Sequence, residues 1–363
     1  MASERLNCII CKNLHFETIN SFPNYPIMAI SNNSVAEYFY DYTLIVCNNC
    51  KCLQLKYLVD PKILYSDIYM NAGFSPSWTD HHIHFSNFIL KNTNETEFLE
   101  VGSNKGDLYK FMSKERDVKF IALDMWKHTD LPSEIKFIEG NCETFDYKAY
   151  NTVILSHVFE HLYNPLIFIE NIRRAGVSSV FISIPNFDQL VKKESLLTIN
   201  SQHTFYCGFD YITYMFSLFN YKCETSYSYG GNCESNMFKF VLDITKLPNA
   251  LPSTDIQLYK AIYVDKVNRI RNIELNPNSY IIPSGIYGQL YYYLIEDKDN
   301  VMGFLDNNLQ RHMNKLYGTD KLVYFPSSIK YHNTTVIVCE CLYKDELISG
   351  LKTLCNSINI VCI

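Results

Sequence analysis

Two cysteine pairs near the N-terminus, Cys8-Ile9-Ile10-Cys11 and Cys47-Asn48-Asn49-Cys50, offer four soft sulfur ligands at the knuckle spacing that tetrahedral zinc favours. Cys8, Cys11, Cys47 and Cys50 are therefore expected to hold one structural zinc, with the stretch 12–46 forming a small domain between the pairs. The competing reading is four unligated core thiols. Cys52, two residues on, is either a rival ligand or packing. The remaining cysteines are scattered, several of them in apolar strands (Cys339, Cys341, Cys362), and read as core.

A second constellation begins at Glu100-Val101-Gly102-Ser103-Asn104-Lys105-Gly106, which follows an apolar run and opens a helical pattern. Glycines there let the backbone approach a ligand, and a helix N-terminus favours anionic or carboxylate groups. Asp124 stands about 20 residues on, at the end of the next strand, where an acid can accept bonds from a ribose diol. The loop lacks the middle glycine of the dinucleotide fingerprint and fits S-adenosylmethionine better. A tight strand-to-helix turn with no ligand is the bland alternative. The expected cofactor-binding set is Glu100, Gly102, Ser103, Asn104, Gly106, Asp124, Asn141, Cys142 and His157.

The strand Val153–Ser156 runs into His157-Val158-Phe159-Glu160-His161, at the mouth of a parallel sheet where ligands bind. These side chains read as pocket lining, with a metal site or plain surface polarity as alternatives. Further on, His203 is a natural general base near neutral pH, or else a satisfied structural histidine beside Phe205 and Tyr206.

The elements that must position these residues follow from periodicity. From residue 96 the pattern alternates strand and helix: 97–101, 107–113, 119–124, 135–138, 152–156, 165–175 and 179–184. That order predicts a doubly wound parallel sheet. Residues 186–206 read as an irregular insertion, 209–219 as a helix and 222–244 as closing strands. A helical pattern over 255–274 links to a second alternation from 277. There Ser284-Gly285-Ile286-Tyr287-Gly288, followed by Asp306, either holds a second nucleotide or a substrate diphosphate, or is a turn that only packs. The expected architecture is α/β in three parts: a zinc-binding domain (1–75), a doubly wound S-adenosylmethionine-binding domain (76–248), and a linker helix with a second, smaller α/β domain (249–363).

Composition narrows the classes. With 47% apolar and 19% charged residues the chain is an ordinary globular protein, and its net charge of −6 gives no footprint for nucleic acid. The N-terminus lacks an apolar signal segment, and no apolar run reaches the roughly 20 residues needed to span a bilayer. No membrane association and a cytoplasmic location are expected. Composition leaves the oligomeric state open.

Several separated motifs together resemble the sugar methyltransferases of deoxysugar biosynthesis, which include 3-C-methyltransferases of nucleotide-linked keto-sugars. The second knuckle of that family, C-x-x-C-G-L-x-Q, is similar to Cys47–Gln54, and its loop E-x-G-S-N-x-G to Glu100–Gly106. Its L-E-H-x-x-x-P segment is similar to Phe159–Pro165, its P-N strand end to Pro185-Asn186, and a serine–histidine element to Ser75–His81. The resemblance implies an S-adenosylmethionine-dependent enzyme with a zinc domain, a central Rossmann-like methyltransferase domain, a smaller Rossmann-like C-terminal domain and a nucleotide-sugar substrate. It also implies His203, His161 and Tyr69 as catalytic, and Glu160, Asn186, Gln202 and Tyr206 as substrate-binding. The chain departs at the family's catalytic Y-x-E-H stretch, which here reads Asn200-Ser201-Gln202-His203. That loss leaves carbon, oxygen and nitrogen methylation all open. A zinc-knuckle RNA methyltransferase and a catalytically inactive scaffold are the alternatives. The RNA enzyme is disfavoured by the acidic balance, the scaffold by the intact loop.

Overall fold

A computed structural model describes residues 2–28, 36–65, 76–196, 199–231, 233–341 and 343–362. Tyr69 and Ser75 lie outside the described residues. The N-terminal strands are β1 (Ala2–Glu4), β2 (Phe16–Pro26), β3 (Phe39–Cys47), β4 (Leu53–Leu55) and β5 (Tyr57–Val59). β2, β3 and β4 form an antiparallel sheet, and β1 pairs with β5.

The central strands are β6 (Glu97–Val101), β7 (Lys119–Asp124), β8 (Lys136–Glu139), β9 (Thr152–Ser156), β10 (Ser179–Pro185), β12 (Tyr221–Tyr229) and β13 (Ser235–Leu242). Their order is β12-β13-β10-β9-β6-β7-β8. The five strands from β8 to β10 are parallel, while β13 runs antiparallel to both neighbours. Parallel strands covered on both faces must be apolar throughout, and here alternate residues serve opposite cores. Leu99, Val101, Leu123, Val153 and Leu155 face one side, while Phe98, Phe120, Ala122 and Ile154 face the helices 76–92 and 107–115 on the other. The helix Pro165–Ala175 starts with proline in its first turn and stops at Gly176, which sits at φ 77°. It buries Phe168, Ile169 and Ile172, spaced as a helix face requires.

The stretch 186–206, expected to be irregular, instead holds a short helix (Phe187–Lys192) and the two-residue strand β11 (Phe205–Tyr206). β11 pairs with β4, so a segment inserted in the central fold completes the N-terminal sheet. No local periodicity announces a two-residue strand whose partner lies so far back in the chain.

The C-terminal part contains β14 (Ser279–Ile282), β15 (Val301–Leu305), β16 (Val323–Tyr324), β17 (Thr335–Val338) and β18 (Asn359–Cys362). They form an all-parallel sheet in the order β16-β15-β14-β17-β18. The linker helix runs from Ile256 to Arg271 with a π-helical middle, Ala261–Lys266. Tyr259, Ile262, Tyr263 and Val267 share one core with Phe22, Tyr42 and Leu44 of the N-terminal sheet and Leu290 of the C-terminal part. The cysteine knuckles belong to a different core: Cys8, Cys47, Cys50 and Cys52 pack with the central sheet. No helix among the described residues is long and apolar enough to cross a membrane.

Candidate functional site

The two cysteine pairs come together in the fold. The sulfur atoms of Cys8, Cys11, Cys47 and Cys50 all lie within 4.8 Å of one another. Cys8 and Cys50 sulfurs are 3.5 Å apart and those of Cys11 and Cys47 3.4 Å. Zinc bonded to four sulfurs at about 2.3 Å needs sulfur–sulfur separations of about 3.8 Å, so the residues fit the ion. Each knuckle closes through an amide bond onto its first cysteine, Lys12 N to Cys8 O and Lys51 N to Cys47 O. Lys12 and Lys51 then take φ of 60° and 59°, the left-handed turn that leads the chain away. Around the tetrad, the buried Gln54 side chain donates to Cys8 Sγ and accepts from Ile9 N. Tyr211 donates its hydroxyl to Cys50 O, which ties the knuckle to the helix 209–217. Cys52 is not part of the tetrad. It faces Cys207 at 3.5 Å, and burial pushes its thiol well up.

The glycine loop lies between the C-terminal ends of β6 and β9, where the chain's crossovers diverge to the two sides of the sheet, the place where open α/β sheets bind ligands. Gly102 sits at φ 68°, and a Cβ there would stand 2.5 Å from Val158 Cγ2. Only glycine lets Val158 close over the loop. Gly106 also has positive φ and caps the helix 107–115. Glu100 is buried, and burial, with Asp107 and Asp124 near, drives its carboxyl well above the usual range. Among the described residues, the buried Glu100 Oε2, Asn104 Oδ1 and Ser156 Oγ have no hydrogen-bond partner. Unpaired buried polar atoms are costly and call for a ligand. Asp124 accepts from Met125 N at 2.7 Å and Asn104 N at 3.4 Å, which fixes its carboxylate at the loop. At the end of β8, Asn141 Oδ1 accepts from Glu143 N, and burial pushes the Cys142 thiol up.

The C-terminal loop differs. Asp306 there accepts from Ser284 Oγ at 2.6 Å and from Arg311 Nη1 at 3.0 Å, and Arg311 also donates to Ser284 O. Its acid is neutralised within its own loop, while the Glu100 loop keeps unanswered polar atoms.

His157 takes φ 51°, and its ring bonds Ser235 Oγ at 2.8 Å and stands 3.3 Å from Glu160 Oε1. His81 bonds Ser183 Oγ at 2.8 Å. Trp78 lies edge-on to both rings, at 5.6 Å from His81 and 4.9 Å from His157. The sequence offered no sign of this aromatic wall beyond the helical pattern around His81. Next to it the structure joins two predicted residues from distant segments: His161 and His203 have ring centroids 5.2 Å apart. Burial brings each imidazole down to about 3, so both are neutral in ordinary buffers, each with one nitrogen that donates and one that accepts. Glu160, buried beside them, shares with His203, Phe187, Leu190 and Tyr206 the lining of an adjoining pocket.

Other expected residues are engaged structurally. Asn186 accepts from Gln189 N and from Asn236 Nδ2, capping the helix 187–192. The Tyr206 hydroxyl bonds Tyr42 at 2.7 Å. Gln202 is buried, its amide held by Asn200 Oδ1.

The loop geometry yields a prediction. Gly102→Ala forces a side chain into the left-handed region, at about 1–2 kcal/mol, and presses on Val158. Titration calorimetry should show S-adenosylmethionine affinity reduced at least tenfold with the fold retained; unchanged affinity would remove the loop from the binding site.

No protein-family model matches this sequence, and no curated protein matches it. Among solved structures the chain is similar in part to a putative O-methyltransferase from Nostoc punctiforme, at 14% identity and TM-score 0.38, over 46% of this chain and 57% of that one. It is also similar to the magnesium protoporphyrin IX methyltransferase from Synechocystis with bound S-adenosylmethionine, at 10% identity and TM-score 0.39, over 50% of this chain and 97% of that one. A plantazolicin methyltransferase matches at 11% identity and TM-score 0.37, over 46% of this chain and 84% of that one.

Proposed function

We propose that this chain is an S-adenosylmethionine-dependent methyltransferase acting on a nucleotide-linked sugar. The observation that carries the reading is the set of unanswered buried polar atoms around Gly102, beside a pair of neutral histidines. Glu100, Ser103 and Asn104 would hold the amino-acid end of the cofactor, Asp124 its ribose, and Asn141 and Cys142 the base. A dinucleotide is disfavoured, because the antiparallel β13 takes the place where a second nucleotide-binding half would continue the parallel sheet. Bound there, the cofactor supplies an electrophilic methyl group on sulfur. The chain's own part is alignment of the acceptor and acceptance of its proton. His203 takes the proton, His161 donates to or accepts from the acceptor oxygen, and Glu160 stands where its charge steadies a protonated imidazole. The sugar is assigned from the resemblance of the knuckle, the L-E-H-like segment and the Pro-Asn strand end.

The test is mass spectrometry after incubation with S-adenosylmethionine and paired nucleotide sugars, one bearing a 4-ketone and its partner reduced or aminated. Methyl gain on the reduced or amino sugar is expected, since His203 serves oxygen or nitrogen acceptors without the missing tyrosine. Gain on the keto-sugar alone would mean an enolate route. No gain on any pair, with cofactor bound, would remove the sugar assignment.

A further inference from the structure

The geometry points to a second metal site: Glu160, His161 and His203 form a two-imidazole, one-carboxylate set for a divalent first-row transition ion, separate from the cysteine tetrad. One ligand atom from each lies within 4.8 Å of the other two. Three ligands bonded at about 2.1 Å to one tetrahedral ion stand about 3.4 Å apart, so closure by at most ~1.4 Å completes the site.

Backbone bonds place the three residues before any ion arrives. His161 N donates to Val158 O at 3.0 Å, closing the turn Phe159–His161. Thr204 N donates to Glu160 O at 3.0 Å, which clamps the His203 segment onto that turn. Tyr65 stacks on the His161 ring at 6.1 Å and 21°. The second, independent observation is the carboxylate itself. Glu160 is 6% exposed; its Oε2 has no hydrogen-bond donor among the described residues, and its Oε1 faces His157 Nδ1 at 3.3 Å. A buried carboxylate with an oxygen left without a donor is expensive, and a cation is the direct remedy.

The donor set selects the ion. Two imidazoles and one carboxylate suit zinc, iron(II), cobalt(II), nickel or manganese, with coordination positions left open. Magnesium and calcium favour oxygen ligands and are disfavoured. Two of the three ligands, Glu160 and His203, also line the pocket with Phe187, Leu190 and Tyr206. Ion and proton compete for the same nitrogen lone pairs, so a bound ion withdraws His203 from service as a base. Methyl transfer would then respond to free divalent metal, a consequence that rests on the function proposed above, whereas ion binding does not.

The experiment uses the full chain carrying one zinc, verified by elemental analysis, titrated with cobalt(II). One equivalent is expected to bind with weak visible bands of nitrogen and oxygen ligation and no intense thiolate charge-transfer band. Glu160→Gln, His161→Gln and His203→Ala should each weaken binding at least tenfold, with zinc content and circular dichroism unchanged as controls on folding. No cobalt bound, cobalt bound only with thiolate bands, or equal affinity in all three variants would overturn the site. Cobalt bound as expected with no sugar methylated keeps the site and removes the sugar methyltransferase reading. Methyl transfer proceeding with no cobalt bound removes the site and keeps that reading.

Discussion

Stripping the metal from the cysteine tetrad is expected to unfold more than the N-terminal segment. Apparent zinc-binding free energies in small zinc domains reach about 10–16 kcal/mol, and that energy is folding energy. Here Cys8, Cys47 and Cys50 are fully buried in the same core as Leu99, Val153 and Phe238 of the central sheet. Loss of the ion leaves four sulfurs crowded within 4.8 Å of one another with no cation to hold them together. Cys47→Ser or a strong chelator should release one zinc per chain and lower the melting temperature by roughly 10 °C or more, given ~2–4 °C per kcal/mol for a unit of about 150–250 residues. The helix 209–217 should loosen with it, because Tyr211 is bonded to Cys50 O. Zinc content and a thermal melt followed by near-ultraviolet circular dichroism decide the matter. A chain that contains no zinc, or melts identically after chelation, would show the cysteines to be ordinary core.

His203→Ala should reduce methyl transfer by about 10²–10⁴-fold while S-adenosylmethionine still binds. The imidazole is neutral and within 5.2 Å, ring to ring, of His161, beside the pocket and outside the Glu100 loop. Its removal therefore takes away proton acceptance without touching the cofactor's contacts. The effect should fall on kcat, with calorimetric cofactor affinity within about twofold of the wild type. A variant of full activity would make His203 structural and move the base elsewhere. A variant that loses cofactor binding would place His203 in the cofactor cleft.

Legibility in the sequence followed the range of the interactions. The tetrad was readable because each knuckle supplies two ligands within four residues, and only the pairing of two knuckles was left to folding. The Glu100–Gly106 loop was readable because its glycines answer a local backbone demand, here φ of 68° at Gly102 and 67° at Gly106. The parallel strands announced themselves through short apolar runs, and the helix 165–175 through its proline start and glycine stop.

Other features had no local signature. That β11 completes the N-terminal sheet depends on the edge β4 leaves open, and that edge exists only once β2, β3 and β4 have paired. The sequence left open whether the loop before Asp306 holds a ligand or only packs; the pairing of Asp306 with Arg311, five residues on, appears only in the folded chain. By itself the sequence determined the cysteine spacing, the turns and the succession of strands along the chain, because these are set by residues a few positions apart. Only the tertiary structure decided that Glu160, His161 and His203 share one place, since backbone bonds between the turn after β9 and the segment before β11 bring them together.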